Sequence, residues 1–309
     1  MKKNVVTIVG PTAVGKTKLS IELAMRFNGE IINGDSMQVY KGFDIGTAKV
    51  RPAEMQEIPH HLIDIKEPEQ EFSAADFKAY VQKYINEISA RGKLPIIVGG
   101  SGLYIQSALY DYHFSNIKRD HDLTMKMEEI VASQGIMPLY NQLVQIDPEQ
   151  AEKIHPNNHR RVIRALEIYE STGKTMTEYQ KTQSMESPYN PILLGLEMER
   201  ALLYKRINER VDQMMAAGLL EEVRELYGKG LQDCQPMKAI GYKEFIPYFK
   251  KEQTLEETID LLKRNSRRYA KRQFTWFKNK MDVTWYSLTP DTADEKFGVI
   301  FEDLAGILK

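Results

Sequence analysis

The sequence predicts an α/β fold, a P-loop NTPase-like parallel sheet core with a helical insertion domain. Three observations carry this. Val5 to Val9 is a continuous β-branched run, the pattern of a strand buried on both faces. It runs straight into Gly10-Pro11-Thr12-Ala13-Val14-Gly15-Lys16-Thr17, after which Leu19, Leu23 and Phe27 recur every four residues as a helical stripe. From about residue 114 to 190 strand character is lost, and it returns only at Ile192 to Leu196.

The other elements are read in chain order. Glu30 to Asn33 reads as a second strand ending at Gly34-Asp35-Ser36, and Leu62 to Ile65 as a third. A helix is predicted from Ser73 to about Ala90, with Ser73 as N-cap and Asp76 at the capping-box position. Leu94 to Val98 is a further strand, followed by Gly99-Gly100-Ser101-Gly102 and a second turn into helix. Alternating strands and helices imply a parallel sheet with functional loops at the carboxyl ends of its strands. Residues 200 to 280 are mostly helical in pattern, and Val283 to Tyr286 forms a last strand. The core is thus assigned to 1–113 and 191–309, and the insertion to 114–190.

Composition narrows the function classes. The 309 residues carry a formal net charge of −1, so nucleic acid binding requires a local basic patch rather than a basic chain. The single cysteine, Cys234, excludes an internal disulfide or a cysteine-rich zinc module, and His60-His61 lacks clustered ligands. The apolar start is short and continues into the glycine loop, so it reads as a strand rather than a signal peptide. No run of about 18 apolar residues is present, so no membrane association is expected. These features point to a cytoplasmic protein.

Gly10 to Thr17 matches G-x-x-x-x-G-K-[ST] between a strand and a helix. Its glycines turn backbone N–H groups toward phosphate oxygens, and the helix N-terminus adds partial positive charge. Lys16 reaches the outer phosphates, and the Thr17 hydroxyl is positioned to ligate Mg²⁺. The default occupant is ATP, yet no apolar run ends in a convincing metal-binding aspartate. Leu62-Ile63-Asp64 is the nearest candidate, and an arginine-rich lid is missing. Another diphosphate therefore competes with ATP.

Asp35 follows the second strand at the same sheet edge, as a proton acceptor or as a cap for the Met37 and Gln38 amides. Ser101 lies in the second glycine turn, where an ordinary serine turn is the simpler reading. Arg206 and Arg210 are one turn apart on a helix. They form either a bidentate diphosphate clamp or a solvated face, and spacing alone favours the face. Arg160, Arg161 and Arg164 cluster at the start of an insertion helix. Leu261 to Met281 holds eight cations and no acid, with Arg264, Arg267, Arg268, Lys271 and Arg272 on one stripe and Phe274, Trp276 and Phe277 after them. Cations followed by aromatics suggest an RNA footprint, against a helix with a basic outer face. Met237 to Glu244 is a loop or a buried turn.

Taken together, GPTAVGKT, GDSMQVY, DIGTAK, PHHLID, IIVGGSGLY, RRVIRALE, KAIGYKE and RRYAKRQFTWF resemble, in order, the motifs of the bacterial tRNA dimethylallyltransferase family from residue 10 to about 278. The resemblance implies transfer of a dimethylallyl group from dimethylallyl diphosphate to the exocyclic amine of the adenine 3′ of the anticodon, without consumption of ATP. It implies Mg²⁺ as cofactor, a diphosphate in the Gly10–Thr17 loop, Asp35 as general base, and Arg206 as a diphosphate contact. It further implies tRNA contacts from Asp35, Ser36, Met37, Gln38, Ser101, Arg160, Arg161 and Arg164, with the insertion gripping the anticodon arm. A monomer is expected. Ser101 stands where threonine is usual, and Arg160 where glutamine is common. The alternatives are an ATP-dependent small-molecule kinase, an RNA-binding nucleotide switch, and a prenyltransferase acting on free adenine nucleotides.

Overall fold

A computed structural model describes residues 2–110, 120–181 and 186–308. In chain order its elements are β1 (Asn4–Val9), α1 (Lys16–Arg26), β2 (Gly29–Asn33), β3 (His60–His61), α2 (Ala74–Ala90), β4 (Leu94–Val98) and α3 (Gly102–Leu109). Next come the helices α4 (His121–Gln134), α5 (Met137–Ile146), α6 (Pro148–Lys153), α7 (His159–Thr172) and α8 (Met176–Lys181). The chain then forms β5 (Asn190–Glu197), α9 (Arg200–Ala216), α10 (Leu219–Gly228), α11 (Ile246–Phe249), α12 (Leu255–Lys280), β6 (Thr284–Ser287) and α13 (Ala293–Ile307). Two compact units result, Met1–Leu109 with Ser187–Lys309, and Tyr110–Glu186.

The first unit is built on a six-stranded sheet in the order β3-β2-β4-β1-β5-β6, and every pair is parallel. Val5, Val6, Ile8 and Val9 of β1 are fully buried, as the unbroken β-branched run requires. Because β2, β4 and β1 are adjacent, the turns after them converge at one sheet edge. The approach is close: a Cβ on Gly99 would lie 2.2 Å from the Gly34 carbonyl oxygen. Only glycine fits there.

Helix α2 starts as predicted, with Ser73 and Asp76 forming a reciprocal capping box. The third strand does not sit at Leu62–Ile65 but just before it, at His60–His61. Leu62 and Asp64 adopt φ of 63° and 55°, left-handed values that end extended pairing. At the end of the insertion the boundary also moves. Asn190 pairs with Asn4 and Pro191 with Val5, so the chain is back in the sheet before residue 191. The expected junction at 113–114 lies outside the described residues.

The second unit is helical and has its own core, in which Leu139, Leu143, Val162 and Leu166 are nearly fully buried. Asp147 caps α6 and also accepts the Thr177 N–H and O–H at 2.9 and 2.6 Å, leaving a buried carboxylate well satisfied.

Helix α12 corrects one expectation. Phe277 is fully buried, Phe274 packs edge-on against Trp285 at 5.1 Å, and Trp276 sits where a Cβ on Gly102 would fall 2.1 Å from its ring. These aromatics hold the helix to the core, and Phe277 has no face open to a base. Phe277→Ala is accordingly expected to cost about 3–5 kcal/mol of stability. Calorimetric unfolding checks this, and RNA affinity of the folded fraction stays unchanged.

Candidate functional site

The turn after β1 wraps around an open space that the sequence alone does not reveal. The N-cap of helix α1 is Gly15, which has φ 113°, with no side-chain cap and no acid in the helix's first turn. Its N-terminal amides are therefore directed at whatever anion enters. Gly10 is held against β5: its φ is 140°, and a Cβ would lie 2.5 Å from the Leu196 carbonyl oxygen. Lys16 folds back so that Nζ donates to the carbonyls of Gly10 and Pro11 at 2.9 and 2.8 Å. Burial, and then the Arg210 charge, lower the Lys16 pKa to about 7, with Asp35 opposing them.

Residues 12–17 line a cavity of about 440 Å³, together with Asp35, Gln38, Arg206 and Arg210. A second cavity of about 370 Å³ is lined by Ser36, Met37, Lys238 and Arg272 among others. Six residues belong to both: Thr12, Asp35, Thr47, Ala48, Arg210 and Tyr269. Asp35 thus stands on the wall between the space lined by the glycine loop and a second, less polar one.

The structure shows Asp35 as the cap, and its burial bears on the proton-acceptor reading. Its Oδ1 accepts the Met37 N–H at 2.8 Å, which is the cap. Burial raises its pKa, against the pull of that hydrogen bond and of Lys16. A carboxylate with a raised pKa is a stronger proton acceptor than an exposed one. Ser101 lies beside this turn, with its Oγ 3.3 Å from the Ser36 amide and 3.4 Å from the Ser36 hydroxyl.

Arg206 donates from Nε to the Ala13 carbonyl at 3.0 Å, and Arg210 reaches the Thr12 hydroxyl at 3.4 Å. Helix α9 therefore presents both arginines to the loop, against the solvated face that spacing favours. Burial lowers the Arg210 pKa, and Asp35 opposes the shift. Gln273 is a residue that sequence reasoning misses. Its Oε1 accepts the Thr12 N–H at 2.9 Å and its Nε2 donates to the Gly100 carbonyl at 3.2 Å, joining the two glycine turns. No local pattern marks it, because its partners lie more than 170 positions away.

The basic stripe is divided. Arg267 donates to Asn208 at 2.6 Å and Lys263 pairs with Asp212 at 2.6 Å, both across to α9. Arg264, Arg268, Lys271 and Arg272 reach the surface to differing degrees, and Arg272 borders the second cavity. In the helical unit Arg160 and Arg161 are exposed, while Arg164 pairs with the buried Glu167 at 3.1 Å. Asp64, the nearest metal-binding aspartate for a kinase, is paired with Lys49 at 2.6 Å instead, does not border the 440 Å³ cavity, and leaves the kinase reading unsupported.

Residues 38–280 match the family described as IPP transferase. A tRNA dimethylallyltransferase of Oceanobacillus iheyensis is 59% identical over 309 residues, covering 100% of this chain and 99% of that protein. The crystal structure of a tRNA isopentenylpyrophosphate transferase from Bacillus halodurans is similar with a TM-score of 0.76 and 52% identity, over 99% of this chain and 96% of that one. A eukaryotic dimethylallyltransferase captured acting on tRNA has a TM-score of 0.83 at 35% identity, covering 98% and 80%. The chain belongs to the IPP transferase family of tRNA-modifying prenyltransferases.

Proposed function

We propose that the protein transfers a dimethylallyl group from dimethylallyl diphosphate to the exocyclic amine of the adenine 3′ of the anticodon in tRNA. The observation that carries this reading is Asp35 on the wall shared by the two cavities. The donor occupies the space lined by residues 12–17, and the adenine enters the second. An adenine amine is a weak nucleophile because its lone pair is delocalised into the ring. As its nitrogen bonds to the allylic carbon, the amine proton passes to Asp35, the allylic C–O bond breaks, and its electron pair leaves on diphosphate.

Lys16, Arg206, Arg210 and the loop amides stabilise that leaving charge, as preorganised donors do at other oxyanions. Mg²⁺ fits this site only as a shared ligand. Among the described residues no three carboxylate, histidine or cysteine groups cluster, and Thr17 offers one hydroxyl beside the phosphate loop. That suits an ion that keeps several waters and completes its shell with phosphate oxygens. When bound, it supplies further neutralisation of the departing diphosphate.

The base must leave its loop stack, at a cost of a few kcal/mol. Ser36 and Met37 line the second cavity, with Gln38 in the same turn and Ser101 beside Ser36, which supports their receiving it. Arg160, Arg161, Arg164, Arg268, Lys271 and Arg272 supply compensating backbone contacts, and Arg267 supports the stripe through Asn208. Removing two charges with Arg268→Ala and Lys271→Ala is expected to reduce the slope of log affinity against log salt by about 0.7–0.9 per charge. Filter binding over a salt series checks this, and an unchanged slope removes the stripe from the interface. A tRNA substrate supports a cytoplasmic location, and the protein is proposed to act as a monomer.

The reading is tested by incubating the protein with tRNA, Mg²⁺ and labelled dimethylallyl diphosphate in the absence of ATP. Label is expected in RNA, at the adenine following the anticodon. Label that enters free adenine nucleotides and not tRNA would overturn the reading.

A further inference from the structure

One carboxylate outside the catalytic groups carries an unusual share of hydrogen bonds. Glu222, on α10, accepts the N–H groups of Asp44 and Ile45 at Oε2, at 3.1 and 2.8 Å. Its Oε1 accepts the Gly46 N–H at 3.1 Å and the Tyr242 O–H at 2.7 Å. Three consecutive backbone amides thus close on a single side chain. Tyr242 is fully buried, and its ring lies against Gly46 so closely that a Cβ there would fall 2.5 Å from it. The segment is therefore fixed from both sides.

The clamp matters because of the two residues directly after the clamped amides. Thr47 and Ala48 line both cavities. Their carbonyls accept from Gln38 Nε2, at 3.0 and 3.4 Å. Gln38 belongs to the turn whose Met37 amide is capped by Asp35. A continuous path of hydrogen bonds and backbone therefore runs from Glu222 through residues 44–48 and Gln38 to the turn of Asp35. The phosphate loop stands outside this path, since Lys16, Arg206 and Gln273 hold it.

We propose that Glu222 is a positioning residue for prenyl transfer, which sets the wall between the two cavities and, through Gln38, the turn that carries Asp35. The proposal rests on the transferase reading above for its kinetic consequence, and on the hydrogen bonds alone for its structural one. Misplacing a reacting group by about 1 Å costs on the order of 10²-fold in rate, so the effect is large without any contact to substrate.

The test uses Glu222→Gln, Tyr242→Phe and Asp35→Asn in the full chain. Amide hydrogen exchange in Glu222→Gln is expected to rise by about tenfold or more at residues 37 and 44–48 and to stay unchanged at 12–17. Unchanged exchange at 44–48 overturns the clamp whatever the protein catalyses. Single-turnover transfer at saturating substrates is expected to fall by about 10–100-fold, while the affinity for inorganic diphosphate is retained. Added to Asp35→Asn, the substitution is expected to cost little more, because both act through one group. A general loss of folded protein would instead multiply the two effects. Wild-type rates in Glu222→Gln, or full multiplication on the Asp35→Asn background, overturn the positioning role. Absence of label with the wild-type chain overturns the transferase reading while leaving the exchange result to judge the clamp. Should the glutamine variant not fold, Tyr242→Phe, which leaves the three amide bonds in place, carries the same cycle and must show a smaller, equally non-multiplying loss.

Discussion

Asp35→Asn is expected to lower the single-turnover rate of prenyl transfer by about 10²–10⁴, the usual worth of a positioned general base. The substitution separates two roles that coincide in one side chain. The amide oxygen of asparagine still accepts the Met37 N–H, so the turn survives, but the group no longer takes a proton. Affinity for inorganic diphosphate is not weakened, since a negative charge near Lys16 and Arg210 has been removed. The pH profile gives a second check. The base must be ionised to act, so the rate falls as pH drops through the Asp35 pKa. Burial places that acid limb above the ordinary carboxylate value, and the asparagine variant lacks it. A variant that transfers at the wild-type rate, with the limb intact, would assign the proton to another acceptor.

Lys16→Ala is expected to reduce the transfer rate by about 10²–10³, the cost of losing one donor to a developing oxyanion. The same change weakens binding of inorganic diphosphate, measured by titration calorimetry. It also leaves the Gly10 and Pro11 carbonyls without the amine that bridges them, so the loop loses a tie as well as a charge. Arg206→Lys distinguishes these effects. It keeps a charge near the diphosphate but removes the planar fork that joins the loop at Ala13, and bidentate recognition is lost with it. If transfer at saturation survives Lys16→Ala, the leaving group is stabilised elsewhere.

Most of the sheet is legible in the sequence because the signals are local. The β-branched run of β1, the capping box of α2 and the glycine loop each occupy fewer than about ten residues and encode their own geometry. Leu62 to Ile65 misleads because an apolar run looks like a strand until its backbone turns left-handed, and nothing in Leu62-Ile63-Asp64 announces that turn. The aromatics after the basic stripe mislead for a different reason. Phe274, Trp276 and Phe277 suit a core as well as a stacking surface, and only their packing decides. Of the site itself, the loop and Asp35 are readable. Arg206 is reached only through family resemblance, Arg210 reads as solvent-facing, and Gln273 carries no signal. All three sit on helices that reach the loop from 190 or more positions downstream. Periodicity tells which face of such a helix a residue occupies, not what that face meets.

The Gln273 amide ties the Gly10–Thr17 loop to the basic helix. Its two ends are committed to Thr12 and Gly100, and its backbone belongs to α12, whose outer cations face solvent. Under the proposed function, a displacement that a bound polynucleotide imposes on that helix is delivered to the turn proposed to hold the diphosphate. Thermodynamic linkage then requires the reverse: an occupied loop changes polynucleotide affinity by the same factor that the polynucleotide changes diphosphate affinity. A binding cycle measured from either side must therefore close on the same coupling.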